Sequence, residues 1–267
     1  MTLARASHEV RSARAFRDAA WSQTTRAVVA ETPVAIVVDG GAEAVMMASP
    51  SDLEDFALGF ALTEGIILSL DQIRDVDLAE TDLGLELRLW LHDGAQSEHA
   101  SRKRKRAGPV GCGLCGVESL EQAMRPLPSI QSQLTLTAVE IVAAMRALPE
   151  HQVINTATRA AHAAAFYSPA TGIALVREDV GRHNALDKLV GALARSGANA
   201  ATGAILMTSR VSIELIQKAA LIGAPILAAI SAPSTLALDA AQACNLCVCG
   251  IVRENGLEVF THAERIT

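Results

Sequence analysis

The spacing of hydrophobic and polar positions changes about halfway along the chain, and this change predicts two domains. In the first half, apolar runs at 33–38 and 44–48 flank an Asp-Gly-Gly turn, which predicts a hairpin. A helix is predicted after Ser51, which is expected to cap it, with Gly65 as its stop. Leucines alternate with polar residues over 85–91 and predict a half-buried strand. The first half is therefore predicted to be α+β.

The second half alternates helical and strand patterns, which is typical of an α/β sandwich. Thr137 and Glu140 form a predicted capping box, and Pro149 is expected to end the helix that they start. The predicted strands are 173–176, 204–208, 225–231 and 247–252, and the predicted helices are 137–147, 185–194, 212–221 and 235–243.

These patterns divide the chain into four predicted parts. They are an irregular, flexible lead-in (1–27), an N-terminal α+β domain (28–110), a cysteine loop and linker (111–130), and an α/β domain (131–267).

Composition narrows the functional class. Of 267 residues, 50% are hydrophobic and 19% charged, as in a well-packed globular protein. The formal net charge of −6 argues against general nucleic-acid binding. The uncharged run 219–238 is interrupted by Gly223 and Pro225, so we expect no membrane span. Five cysteines, an odd number, predict a reducing compartment, and we expect a cytoplasmic protein.

The strongest candidate for chemistry is the pair Cys112 and Cys115, set among three glycines directly after the basic run 102–106. Glycines leave the sulfurs approachable, and nearby cations favour the reactive thiolate. Taken alone, the spacing is compatible with redox exchange, metal binding or sulfur relay. A zinc site shared with Cys244 and Cys247 is possible but disfavoured, because those thiols lie where a helix passes into an apolar strand. Deaminase chemistry is disfavoured too, since the one His-x-Glu follows the cysteines.

A second candidate is the polar block 177–188 between an apolar strand and a helix. Loops after strands of α/β folds collect functional residues, but a turn that caps the helix would account for the block equally well. His162 lies in an alanine-rich stretch and reads by itself as a packed histidine, and 253–256 reads as a hairpin turn.

Taken together, several segments resemble the formate dehydrogenase accessory sulfurtransferase (FdhD) family. The long block at 178–188 is the most specific of them. The matching segments are 46–50, 56–60, 64–67, 112–116, 162–165, 178–188, 209–212 and 217–218. The chain departs from the family pattern at 158–162, where Arg159 and Ala160 stand in place of a glycine-containing turn.

The resemblance implies a cytidine-deaminase-like three-layer α/β/α domain beside the smaller α+β domain. It implies that Cys112 carries a persulfide received from a cysteine desulfurase, with Cys115 assisting transfer to the molybdenum bis(molybdopterin guanine dinucleotide) cofactor. That cofactor then enters formate dehydrogenase. The resemblance further implies a homodimer and no zinc. The residues that it implies for the guanine nucleotide, with GDP as a mimic, are Ile251, Val252, Arg253, Glu254, Asn255 and Gly256. The other residues that match its motifs are His162, Asp179, Arg182, His183 and Asn184.

A second hypothesis is kept beside this one. The chain could be a non-catalytic chaperone that binds and delivers the cofactor while the C-x-x-C pair holds a metal.

Overall fold

The computed structural model describes residues 6–97, 99 and 126–267. The predicted cysteine loop, with Cys112 and Cys115, and the basic run before it lie outside the described residues.

The strands are β1 (His8–Arg17), β2 (Ala20–Val29), β3 (Thr32–Val38), β4 (Gly41–Ala48), β5 (Ile73–Thr81), β6 (Gly84–Leu91), β7 (His162–Ser168), β8 (Gly172–Asp179), β9 (Ala204–Met207), β10 (Ile226–Ala229), β11 (Cys247–Arg253) and β12 (Gly256–Thr261). The helices are α1 (Leu53–Thr63), α2 (Ala138–Ala147), α3 (Val153–Thr158), α4 (Arg182–Ser196), α5 (Ile213–Leu221) and α6 (Thr235–Ala243).

The irregular lead-in predicted for 1–27 is wrong for most of its length. Strands β1 and β2 pair along their whole length as an antiparallel ribbon, from His8 with Val29 to Arg17 with Ala20. The pattern gave no signal because most side chains on both faces of the ribbon are exposed, so no apolar alternation marks it. Its turn places Asp18 and Ala19 at φ values of 50° and 61°. Alanine is an unusual residue for such a turn.

The N-terminal sheet has the order β4-β3-β6-β5, and the predicted hairpin and half-buried strand are both confirmed. The alternating leucines of β6 point into the core, where α1 covers the sheet. Gly65 follows α1 with a φ of 66°, as expected for a helix stop. The predicted cap is wrong. Asp52 precedes the helix in a left-handed conformation without a side-chain cap bond, and the buried hydroxyl of Ser51 has no partner among the described residues.

The larger sheet has the order β12-β11-β10-β9-β7-β8. Strands β9, β10 and β11 are parallel, whereas β7 and β12 run against their neighbours. One face packs against α4, α5 and α6, and the other packs against α2. The α/β fold class with three layers is confirmed, as is the capping box of Thr137 and Glu140 on α2.

The N-terminal sheet with α1, which we call the N-terminal domain, meets the layers of the larger sheet where α1 crosses α4 in backbone contact. A Cβ atom on Gly59 would lie 1.7 Å from the carbonyl oxygen of Asp187, and one on Gly191 would lie 2.0 Å from that of Asp55. Any side chain at either glycine would force the helices apart. This crossing brings the polar block 178–188 against the N-terminal domain.

Candidate functional site

The polar block contains a fully buried ion pair that anchors the N-terminal domain. The ammonium of Lys188 lies 2.7 Å from a carboxylate oxygen of Asp179, and both side chains are 0% exposed. Lys188 also donates to the carbonyl oxygen of Ser49 at 2.9 Å, and Asp179 accepts from the backbone amide of Ser49 at 2.9 Å. Asn184 donates to Asp179 and to the carbonyl oxygen of Met47. These residues therefore hold the end of β4 and have no free face for a ligand.

A second buried pair ties α1 to α4 and α5. The ammonium of Lys218 lies 2.8 Å from the Asp187 carboxylate and 2.8 Å from that of Glu64, and it donates to the hydroxyl of Thr63 at 2.9 Å. Thr63 in turn donates to Asp187 at 2.6 Å. Burial by itself would lower the pKa of Lys218, but the carboxylates of Asp187 and Glu64 outweigh burial and raise it. The raised pKa favours the charged form of Lys218, which joins the three helices at this point.

Two further residues of the block, Arg182 and His183, form an open cluster with His162, Ser212 and Glu214, which lie outside the block. Arg182 and His183 are the first two residues of α4. Nε2 of His183 lies 3.3 Å from the hydroxyl of Ser212 and 3.4 Å from the carboxylate of Glu214. No described residue accepts a hydrogen bond from the buried Nε of Arg182. A guanidinium with a spare donor, beside the start of a helix, is suited to an anionic ligand.

Both histidines of the cluster have a lowered pKa, which favours the neutral form. Burial lowers the pKa of His183, and the neighbouring Arg182 lowers it further. Burial is also the main reason why the pKa of His162 is lowered, although a hydrogen bond with the backbone of Thr208 opposes it. The lasting positive charge at this cluster is therefore that of Arg182.

The cluster lies at one edge of the large sheet, where β8, β9, β10 and β11 end and where α4, α5 and α6 begin. His162 reaches the same edge because β7 starts there in the opposite direction. Neighbouring loops are joined along this edge by backbone hydrogen bonds, from Ser234 to Val211 and from Ile251 to Ser231. We call this border the carboxyl edge. In α/β sheets such an edge is where ligands bind.

The predicted nucleotide segment 251–256 ends β11 at the carboxyl edge and turns into β12, so the predicted hairpin turn is confirmed. The guanidinium of Arg253 donates to the carbonyl oxygen of Ile230. Glu254, Asn255 and Gly256 line an open groove of about 630 Å³ with the exposed side of α2. The structure thus places His162, Arg182 and His183 on the same edge as 251–253, whereas 254–256 face the groove of α2.

Ile251 has a strained backbone. Its φ of 51° is in the left-handed region, which is a true outlier for a β-branched residue. The strand is irregular there, with a register shift between Gly250 and Arg253. Such strain concentrates at functional sites. No sequence pattern could have shown this feature of the segment.

The other three cysteines are core residues. Cys244 packs against the helices on one face of the sheet, whereas Cys247 and Cys249 belong to the core on the opposite face. Burial raises the pKa of Cys244, and a hydrogen bond with Cys247 together with burial raises that of Cys249. The raised pKa makes the thiols of Cys244 and Cys249 poor nucleophiles. Since Cys244 and Cys247 lie on opposite faces, their placement argues against the shared zinc site considered above.

Comparison with known proteins identifies the chain's relatives. A model of the FdhD/NarQ family matches residues 29–267. The chain belongs to this family. It is 47% identical over 253 residues to a protein of Agrobacterium fabrum (strain C58) named sulfur carrier protein FdhD, covering 94% of this chain and 93% of that one. A protein of Brucella abortus with the same name is 45% identical over 253 residues, covering 94% of each chain.

The fold of this chain is similar to that of a solved structure. The crystal structure of a protein from Desulfotalea psychrophila, described as a formate dehydrogenase accessory protein, superimposes with a TM-score of 0.79. The superposition covers 98% of this chain and 100% of that one, at 22% identity.

None of the helices in the described part of this chain is long and apolar enough to cross a membrane.

Proposed function

We propose that this FdhD/NarQ family member is a cytoplasmic sulfur carrier that serves the maturation of formate dehydrogenase. The observation that carries the proposal is the likeness, at 47% identity over 94% of the chain, to a protein named sulfur carrier protein FdhD. The chain also has a pair of thiols in a setting suited to sulfur exchange, Cys112 and Cys115.

In the proposed reaction, the thiolate of Cys112 attacks the outer sulfur of a persulfide on a cysteine desulfurase. A new S–S bond forms on Cys112, and the cysteine of the desulfurase leaves as a thiolate. The thiolate of Cys115 then attacks the inner sulfur of this persulfide. The outer sulfur leaves with the bonding electron pair as sulfide for the acceptor, and an internal disulfide remains. A dithiol reductant of the cell restores the two thiols.

The proposed acceptor is the molybdenum bis(molybdopterin guanine dinucleotide) cofactor, which is the substrate of this transfer and is delivered to formate dehydrogenase. Its nucleotide arms carry diphosphates, which require cationic donors. Arg182 at the start of α4, with a buried Nε that no described residue binds, is such a donor. The start of α5 lies beside it, since His183 contacts Ser212 there. The strained turn at Ile251 supplies the second contact surface, toward the guanine.

The sulfur-carrier role is tested by intact-protein mass spectrometry after incubation with a cysteine desulfurase and cysteine. One added sulfur atom is expected on the wild type and on the Cys115→Ala variant, and none on Cys112→Ala. Cys244→Ala is the matched control, because it removes a buried thiol and leaves the loop intact. Undiminished sulfur loading of Cys112→Ala would refute the mechanism. Stoichiometric zinc, together with transfer that survives both loop substitutions, would favour the chaperone hypothesis instead.

The nucleotide site is tested by titration of the protein with GDP in a calorimeter. Arg182→Gln is expected to weaken binding about tenfold or more, as for the loss of a hydrogen bond to a charged group. Arg74→Gln removes an exposed arginine on β5 and is expected to leave the affinity unchanged. Equal affinity for the wild type and Arg182→Gln would remove Arg182 from the site.

A further inference from the structure

His183, in the cluster at the carboxyl edge, has a ring nitrogen that can still take a proton. Its side chain contacts described residues through Nε2, which lies 3.3 Å from the hydroxyl of Ser212 and 3.4 Å from the carboxylate of Glu214. Because a carboxylate only accepts hydrogen bonds, the tautomer that fits this contact carries its proton on Nε2 and leaves Nδ1 as an acceptor. The side chain is 29% exposed, so solvent reaches the ring. A further proton can therefore come from solution to Nδ1.

The groups around His183 disfavour that further proton in the absence of a ligand. Burial is the largest effect, and Arg182 on α4 and Lys218 on α5 add to it, whereas Glu214 on α5 opposes them. Lys218 is already paired with the buried carboxylate of Asp187. The ring of His183 thus lies in the field of one cation, Arg182, and one carboxylate, Glu214, which also act on each other.

The strands beside the cluster do not change this balance. Burial lowers the pKa of His162 at the start of β7, so its ring favours the neutral form as well. The carboxylate of Asp179, at the end of β8, lies 2.7 Å from the ammonium of Lys188, which neutralises it. Among the described residues that act on the two histidines, Arg182 and Glu214 are therefore the charges left at the cluster, and they offset each other.

A bound diphosphate would shift this balance, because it adds negative charge to a cluster that holds one cation and one anion. The buried Nε of Arg182, which no described residue binds, is suited to hold such an anion. An anion close to an imidazole favours the protonated form of the ring. The diphosphate and the proton therefore favour each other at this cluster.

We propose that His183 takes up a proton when a diphosphate binds beside Arg182, and so becomes a second cationic donor to this ligand. The proton comes from solution and forms an N–H bond at Nδ1, while Nε2–H keeps its contact with Glu214. The inference rests on the nucleotide site proposed above. Because binding and protonation are linked, the diphosphate binds more tightly as the pH falls.

The test is a calorimetric titration with GDP-mannose, whose diphosphate is a diester and does not titrate near neutral pH. The terminal phosphate of GDP itself titrates at about pH 6 and would hide the uptake. Titrations at about pH 6 in PIPES and in Bis-Tris, two buffers with different heats of ionisation, give the number of protons taken up for each ligand bound. The wild type is expected to take up about 0.3 protons or more at about pH 6, and almost none at about pH 8.

Three variants assign this proton to its residue. His183→Gln is expected to bind GDP-mannose without proton uptake. In Glu214→Gln the uptake is expected to move to lower pH, because the carboxylate that favours the charged ring is lost. A purely structural role of Glu214 would change the affinity without moving this pH profile. His151→Gln is the matched control, since it removes an exposed histidine just after α2 and is expected to keep the full uptake.

A wild type that binds GDP-mannose without proton uptake at about pH 6 would overturn the inference and leave the nucleotide site in place. Undiminished uptake by His183→Gln would also overturn it, because the proton would then belong to another group, such as His162. Absence of GDP-mannose binding would overturn it as well, and absence of GDP binding in addition would remove the nucleotide site itself.

Discussion

Removal of the buried ammonium of Lys218 is expected to destabilise the whole fold. In Lys218→Met the carboxylate of Asp187, which is 1% exposed, loses its cation and keeps only the hydroxyl of Thr63 as a side-chain donor. Breaking a buried pair by removing one partner costs about 3–5 kcal/mol. For a chain of this size, each kcal/mol lowers Tm by roughly 2–4 °C, so we expect a loss of about 10 °C.

The double variant Asp187→Leu/Lys218→Met separates the cost of the unpaired charge from the value of the pair. With both charged groups removed, no carboxylate is buried at position 187 without a cation. Apolar replacement of a buried ion pair is often neutral or stabilising, so the double variant should regain about 2 kcal/mol or more of the loss. Urea denaturation of the two variants and the wild type measures these differences. This reasoning would be refuted if the free energy of unfolding of Lys218→Met were within about 1 kcal/mol of that of the wild type. It would also be refuted if the double variant were no more stable than the single one.

Three further predictions concern single positions. Arg159 ends α3 with a φ of 57°, so Arg159→Gly should be about 1 kcal/mol more stable than Arg159→Ala in urea denaturation, the reverse of the usual order of glycine and alanine. Ile251→Gly should likewise unfold at a higher temperature than Ile251→Ala in calorimetry, because it relieves the left-handed strain. Because the pKa of His183 is lowered in the folded protein, its imidazole takes up a proton at a higher pH in the unfolded chain than in the folded one. Stability is therefore lost below about pH 6.5, and His183→Gln should reduce this loss in urea titrations over the pH range.

Several elements of the large sheet and its helices could be predicted from the sequence because each of them carries its own local signal. Thr137 with Glu140 gives a capping box, and the apolar runs that form β9, β10 and β11 are short and bounded by polar turns. The ribbon could not be predicted, because exposure of both faces removes the alternation that marks a strand. Strand β7 also gave no strand signal, since its alanines are buried on both faces of the sheet.

The departure at Arg159 shows how the structure explains a difference from the family pattern. The family resemblance places a glycine-containing turn at 158–162, and the structure gives Arg159 the left-handed backbone that glycine adopts most easily. In this chain the left-handed position of the turn is therefore occupied by Arg159, for which this backbone conformation is strained. Arg159 continues the backbone bonding of α3 by donating to the carbonyl oxygen of Asn155 at 2.7 Å.

The roles within 178–188 could not be separated from the sequence, because neighbouring residues at the start of a helix point in different directions. Three side chains point toward the N-terminal domain and form hydrogen bonds with it, namely those of Asp179, Asn184 and Lys188. Arg182 and His183 are turned toward the carboxyl edge, where the buried Nε of Arg182 has no described partner. The segment 178–188 therefore contains residues that support the fold and other residues that are placed to contact a ligand.

Since the supporting residues hold α4 against α1, a change at Asp179 should lower stability and GDP affinity together. A change at Arg182 should lower affinity alone, which is the pattern expected of a residue that touches the ligand.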